Sequence, residues 1–147
     1  ASCAIDQKAF ELHHAEMGTT MVMVSIENDM ATIAHIGDSR CYVQRPDEGL
    51  LYQTKDHVRL DFGWEIVAKC FFSYRPEVAV PDIRQSKLQI GDRILLCSDG
   101  LYKSMAPDIL QARMMDDKPL EEILDEFDSI SRKQCDDNHT AILIEIE

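Results

Sequence analysis

Apolar and polar residues alternate with a period of two through much of the chain, which is typical of β-strands with one buried face. This alternation predicts strands over residues 19–26, 31–36, 41–43, 50–53, 77–81, 93–97 and 140–146. The first strand has apolar residues on both faces, so we expect it to be covered on both sides. Short turns between the first four strands predict an antiparallel meander, with Gly37-Asp38-Ser39 as one of its turns.

Three stretches have the spacing of helices instead. Residues 3–16 form a short amphipathic pattern, and a second one covers residues 107–115. The third begins near Pro119, a residue favoured at the first helical position. Its apolar residues lie three and four positions apart, which predicts that one helix face packs on a sheet. Strands and helices are mostly segregated along the chain, which favours the α+β class with antiparallel sheets.

Residues 54–75 give no clear pattern. Lys55-Asp56-His57 has the composition of a loop, and residues 62–72 suit either a strand or a short helix. We expect Trp64 and the neighbouring phenylalanines at 62, 71 and 72 to pack in the core, the alternative being an exposed peptide-binding patch. For His35 we expect a packed, hydrogen-bonded side chain, and for His57 a structural role.

Composition narrows the class of partners. The chain has 147 residues and a formal net charge of −12, so binding to nucleic acids or anionic membranes is disfavoured. Apolar runs are too short to span a bilayer. The cysteine number is 5, without C-x-x-C spacing, which argues against a zinc ribbon and predicts a reducing, cytoplasmic location.

Three aspartates lie at strand ends beside Gly, Ser or Asn. Asp38 follows one strand, Asp99 follows another, and Asp137 precedes the last. Aspartate in such places commonly caps a turn. Carboxylates on rigid strand ends are also the ligands that Mg²⁺ and Mn²⁺ prefer. Spacing alone leaves both interpretations open.

A set of motifs in fixed order resembles the metal-dependent protein phosphatases, the type 2C Ser/Thr phosphatases. The motifs are Met17-Gly18-Thr19-Thr20, Ala34-His35-Ile36-Gly37-Asp38-Ser39-Arg40, Thr54-Lys55-Asp56-His57, residues 91–101 with Ser98-Asp99-Gly100, and Asp136-Asp137-Asn138-His139-Thr140. The resemblance implies two antiparallel β-sheets packed as a sandwich and flanked by helices. It also implies hydrolysis of phosphoserine and phosphothreonine in proteins by water activated with Mn²⁺ or Mg²⁺. No nucleophilic side chain takes part in that chemistry.

The same resemblance implies roles for the three aspartates. Asp99 and Asp137 match metal-binding aspartates of the family, and Asp38 matches an aspartate linked to an additional metal in some members. Asp136 lies outside the motif, and we expect it to be solvated. If the three converge, mutual repulsion should raise the pKa of at least one of them. Some relatives have an acidic residue where this chain has Lys103.

The family's N-terminal segment, with its D-G-H-G-G-type motif, has no counterpart in this sequence. We therefore expect residues 1–147 to form one phosphatase-like domain that lacks the N-terminal part of the fold. Exposed sheet edges should then favour a homodimer or pairing with the missing segment. The alternatives to an enzyme are a catalytically incomplete module that binds partners, and a structural domain without metal.

Overall fold

The computed structural model describes residues 1–13 and 16–147. Within these residues the helices and strands, in chain order, are α1 Ser2–Glu11, β1 Gly18–Thr19, β2 Met21–Glu27, β3 Met30–Ile36, β4 Arg40–Arg45, β5 Gly49–Gln53, β6 Val58–Asp61, β7 Trp64–Val67, β8 Phe71–Phe72, β9 Asp82–Lys87, β10 Arg93–Cys97, α2 Asp99–Tyr102, α3 Pro107–Met114, α4 Leu120–Gln134 and β11 Ala141–Glu145. A short 3₁₀ turn, Pro76–Val78, precedes β9.

Two antiparallel sheets form the centre of the molecule. One has the strand order β11-β10-β4-β5 and the other β2-β3-β9. Their facing sides share an apolar core that includes Ile33 of β3, Val43 of β4 and Ile94 of β10, all nearly inaccessible to solvent. The α+β class and the sandwich of antiparallel sheets predicted from the sequence are therefore confirmed.

Helices cover the opposite face of the four-stranded sheet. Leu95 of β10 and Tyr42 of β4 point to this side, where they pack with Leu110 of α3 and Phe127 of α4. Because neighbouring residues of a strand face opposite sides, β10 contributes to both cores. Helix α1 contacts β8 instead.

The predicted meander is wrong. β2 and β3 form the expected hairpin, but β3 then pairs with β9, whereas β4 pairs with β5 and β10. Residues 37–39 therefore carry the chain from one sheet to the other. Gly37 adopts φ +109°, and a Cβ there would lie 2.3 Å from Thr20 Cγ2, so the crossing requires glycine.

Three further predictions need correction. The first helix ends at Glu11, and the part of its predicted range at residues 14 and 15 lies outside the described residues. The strand expected over 77–81 begins after Pro81, because Pro76 starts a 3₁₀ turn and Pro81 has no N–H for a ladder. The first predicted strand is not covered on both sides, since Met23 is 48% exposed at the sheet edge.

Strands β6 and β7 form a separate hairpin that carries exposed apolar side chains. Phe62 at its turn is fully exposed and Trp64 is 76% exposed, so the prediction that they lie in the core is wrong. Phe71, in contrast, is buried as expected. The hairpin strands have four residues each and, among the described residues, pair only with one another. Side chains such as Leu60 and Trp64 therefore stay exposed. None of the helices in the described residues has the length and apolar character needed to cross a bilayer.

Candidate metal-binding rim

The loops that follow β10 and precede β11 lie side by side at one end of the four-stranded sheet. The two strands are antiparallel, with Cys97 opposite Ala141. Two hydrogen bonds of 3.0 Å continue the pairing beyond the strands, from the Ser98 N–H to the Thr140 carbonyl and from the Thr140 N–H to the Ser98 hydroxyl. Asp99 and Asp137 therefore lie on the same rim of the sandwich.

Gly100 sets how closely these two loops approach. A Cβ at this position would lie 2.4 Å from the carbonyl oxygen of Asn138 and 3.3 Å from that of Asp137. No other residue type fits this space without movement of the backbone. The motif Ser98-Asp99-Gly100 thus packs directly against the motif Asp137-Asn138, as the sequence interpretation requires.

Asp38 reaches the same end of the sheet from a third direction. β4 runs antiparallel to β10 with Arg40 opposite Cys97, so the residues before β4 lie beside those after β10. A contact of 3.0 Å between the hydroxyls of Thr20 and Ser39 ties this crossing segment to the other sheet. One aspartate from each of three loops therefore lies at this end of the sheet.

The pKa of Asp38 responds to its surroundings at the rim. Burial raises the pKa of Asp38, the negative charge of Asp99 raises it further, and Lys103 acts in the opposite direction. The rise at Asp38 has the predicted direction, but its main cause is burial and not mutual repulsion of three carboxylates, so their convergence stays a prediction. Asp137 is exposed, and its Oδ1 accepts a 2.8 Å hydrogen bond from the N–H of Asn138.

Lys103 forms an ion pair with Asp99 at the rim. Its Nζ donates to Asp99 Oδ2 at 2.8 Å, and this bond raises the pKa of the lysine. Asp99 is only 27% exposed and Lys103 48% exposed, so the pair lies at the edge of the rim.

The donor set suits a hard divalent cation only in part. Carboxylate oxygens are the right ligands for Mn²⁺ or Mg²⁺. Across residues 1–13 and 16–147, however, no group of three or more His, Cys, Asp or Glu side chains is close enough to hold a metal ion.

An open cavity borders the Asp137 loop. It has a volume of about 450 Å³ and is lined by Asp128, Arg132, Cys135, Asp137, Asn138 and His139. His139 Nε2 donates to Asp128 Oδ1 at 2.8 Å, which anchors the loop to helix α4. Asp137 therefore faces solvent at a place where a ligand has room to approach.

A histidine pair lies beneath the crossing segment. The ring Nδ1 of His57 accepts a 3.1 Å hydrogen bond from the Gly37 N–H. The backbone N–H of His57 donates to the Gly37 carbonyl at 2.8 Å. Its Nε2 donates to Asp82 at 3.1 Å. The expected structural role of His57 is thus supported. His35 is buried and stacks on His57 with ring centroids 4.7 Å apart, so the packed role expected of it is supported. Its Nε2 has no hydrogen-bond partner among the described residues.

One cluster at the rim was not anticipated. Arg40 makes two hydrogen bonds to Asp56, of 2.9 and 2.8 Å, and its guanidinium lies 3.5 Å from the ring centroid of Tyr102. Arg40 follows Asp38 in the motif Gly37-Asp38-Ser39-Arg40, and Asp56 lies in Thr54-Lys55-Asp56-His57. The two motifs are therefore joined by the paired hydrogen bonds between the Arg40 guanidinium and the Asp56 carboxylate. This pairing holds the loop at residues 54–57 beside the rim.

The two cysteines buried in β4 and β10, Cys41 and Cys97, are not reactive. Burial raises the pKa of Cys41 and of Cys97 to about 12. Both thiols therefore stay protonated at neutral pH, and the thiolate is the reactive form of cysteine. All 5 cysteines are free.

Comparison with known proteins identifies the family of this chain. A family model described as Protein phosphatase 2C matches residues 2–140. The chain therefore belongs to the protein phosphatase 2C family. A search among curated proteins found no match.

Solved structures share the fold. The S. agalactiae serine/threonine phosphatase is 24% identical, with a TM-score of 0.82, and 98% of this chain aligns with 67% of that one. The Mycobacterium tuberculosis serine/threonine phosphatase PstP/Ppp is 23% identical, with a TM-score of 0.82 and the same coverage of 98% and 67%. PppA, a key regulatory component of T6SS in Pseudomonas aeruginosa, is 20% identical, with a TM-score of 0.78 and coverage of 94% and 61%.

A structure of the PstP catalytic domain in complex with 2 manganese ions aligns over 99% of this chain and 66% of that one, at 22% identity and a TM-score of 0.78. The chain spans only 61% to 67% of the lengths of these four structures.

Proposed function

We propose that the chain is part of a metal-dependent serine/threonine phosphoprotein phosphatase that hydrolyses phosphomonoesters. The observation that carries the proposal is the contact between Ser98-Asp99-Gly100 and Asp137-Asn138 at one rim. Two motifs separated by almost forty residues meet there through hydrogen bonds and a glycine contact. A turn-capping role for each aspartate would not require that contact.

In this proposal Asp99 and Asp137 hold Mn²⁺ or Mg²⁺, and Asp38 takes part in binding an additional ion. When bound, such a cation lowers the pKa of a water molecule and neutralises phosphoryl oxygens. The chain's own residues position the ligands. The Ser98–Thr140 hydrogen bonds fix the two loops, and Gly100 sets their distance.

A second candidate function is a catalytically incomplete module that binds phosphoproteins or another partner. Two observations favour it for the chain by itself: the partial coverage of its solved relatives, and the lack of a three-ligand group within the described residues. Pairing with another segment or a second copy stays a prediction. Apolar side chains such as Met23 and Ile26 on the edge strand β2 are exposed and consistent with it.

The test is hydrolysis of p-nitrophenyl phosphate and of phosphoserine peptides with added Mn²⁺, alongside Mn²⁺ binding by calorimetry. Asp137→Asn should lower turnover and Mn²⁺ affinity at least about 100-fold, since even outer-shell changes cost 10- to 100-fold. Asp136→Asn is the matched control, because it removes a neighbouring exposed carboxylate outside the motif.

The outcomes separate the candidates. Turnover that depends on Mn²⁺ and on Asp137 but not on Asp136 supports the phosphatase. Mn²⁺ binding that depends on Asp137 but not on Asp136, without turnover, supports the incomplete module. Equal effects of the two asparagine variants would show that Asp137 has no special role, and the site assignment would be wrong.

A further inference from the structure

Lys103 is held over Asp99 by the backbone itself. It lies four residues after Asp99, at the end of helix α2, and its N–H donates to the Asp99 carbonyl at 2.9 Å. Residues four apart on a helix face the same side. The ammonium group consequently reaches back to Asp99 Oδ2 at 2.8 Å.

The same ammonium group acts on carboxylates from three separate elements. The hydrogen bond to Asp99 contributes most to the raised pKa of Lys103, and the charges of Asp38 and Glu65 add to it. Asp38 lies in the crossing segment and Glu65 in strand β7 of the exposed hairpin. Asp99 is thus the main electrostatic partner of Lys103, and the other two charges act on it more weakly.

We infer that Lys103 is a built-in counter-cation of Asp99 that competes with divalent cations for this carboxylate. The inference rests on the proposed function, because it concerns the affinity of the same rim for a metal ion. It goes further by naming the residue that limits this affinity.

The competition has two parts. A divalent cation needs the lone pairs of Asp99 Oδ2, and the Lys103 ammonium group already occupies one of them. Once displaced, the lysine stays on the same short helix and repels the ion at close range. The Lys103 ammonium group also supplies Asp99 with a hydrogen-bond donor and an opposite charge in the absence of any metal ion.

Mn²⁺ titration by calorimetry tests the inference. The variants are Lys103→Gln and the matched control Lys118→Gln, which removes an equal charge from a lysine paired with Glu126. Loss of a nearby positive charge should tighten Mn²⁺ binding roughly tenfold in Lys103→Gln. The control should change affinity less than about twofold, since screening weakens distant charges.

Two more variants identify the mechanism. Lys103→Arg retains the charge and should keep the wild-type affinity, and Lys103→Gln combined with Asp99→Asn should lose the gain. Thermal unfolding without metal checks that each variant is folded. If Lys103→Gln and Lys118→Gln have equal affinities, while wild-type binding depends on Asp99 or Asp137, the inference is overturned and the proposed function stands. If neither the wild type nor Lys103→Gln binds Mn²⁺ through these aspartates, both are overturned.

Discussion

Substitution of Gly100 by alanine gives the sharpest test of the rim. The added Cβ would lie 2.4 Å from the Asn138 carbonyl oxygen, whereas ordinary contact begins at 3.4 Å. One of the two loops must therefore move by about 1 Å, and both partners are backbone. Inserting a methyl group into such a packed place costs about 1–3 kcal/mol.

The consequences for stability and for function differ in size. A cost of about 2 kcal/mol should lower the Tm by about 4–8 °C in a chain of this length. A displacement of about 1 Å in a reacting site costs about 100-fold in rate. We therefore expect Gly100→Ala to stay folded at 25 °C but to lose most Mn²⁺ binding and Mn²⁺-dependent hydrolysis.

Differential scanning fluorimetry and calorimetry measure the two effects. Gly49→Ala is the control, because no atom lies within 4 Å of its added Cβ. Its φ of +77° makes alanine unfavourable there by about 1–2 kcal/mol, so it loses stability without touching the rim. If Gly100→Ala binds Mn²⁺ as tightly as Gly49→Ala, the two loops do not form a common site.

Three further predictions concern the rest of the molecule. Phe127→Ala should cost about 3–5 kcal/mol in urea unfolding, because Phe127 is 1% exposed, and Ile130→Ala on the same helix should cost less since that side chain is only half-buried. Hydrogen bonds from Lys69, and next from His57, lower the pKa of Asp82 to about 2, so the stability this carboxylate contributes is present above about pH 4 and is lost as the pH falls towards 2. Lys69→Gln should flatten the fall in Tm over that range, and an unchanged acid slope would contradict the assignment. The single tryptophan, Trp64, should show the emission of a solvated indole and be quenched by acrylamide in the folded chain, and a protected indole would contradict its exposure.

The spacing of apolar residues along the chain predicted individual helices and strands correctly where that spacing is regular. Helix α4 was expected from residues three and four apart, and it begins at Leu120, directly after Pro119. β10 and β11 were expected from their apolar runs, and the structure pairs them. The rim aspartates were found because they end or precede such strands.

The spacing of apolar residues did not show which strands pair with one another across long stretches of sequence. The segment at residues 37–39 reads as a hairpin turn, yet its contact with Thr20 and the pairing of β3 with β9 make it a crossing between sheets. β9 itself has mostly polar residues, because it is an edge strand, and apolar alternation did not reveal it. Trp64 was misplaced for a related reason, since composition does not tell whether a hairpin has a covering layer.

Strand β10 has a consequence for how the molecule opens. Its side chains alternate between the two cores, with Ile94 on one side and Leu95 on the other, and both are fully buried. It is also hydrogen-bonded on both edges, to β4 and to β11. Its amide protons should exchange with solvent last, by global unfolding alone. Asp99 is thus attached to the segment of the chain that we expect to exchange most slowly, so local opening of the molecule should leave this aspartate in place.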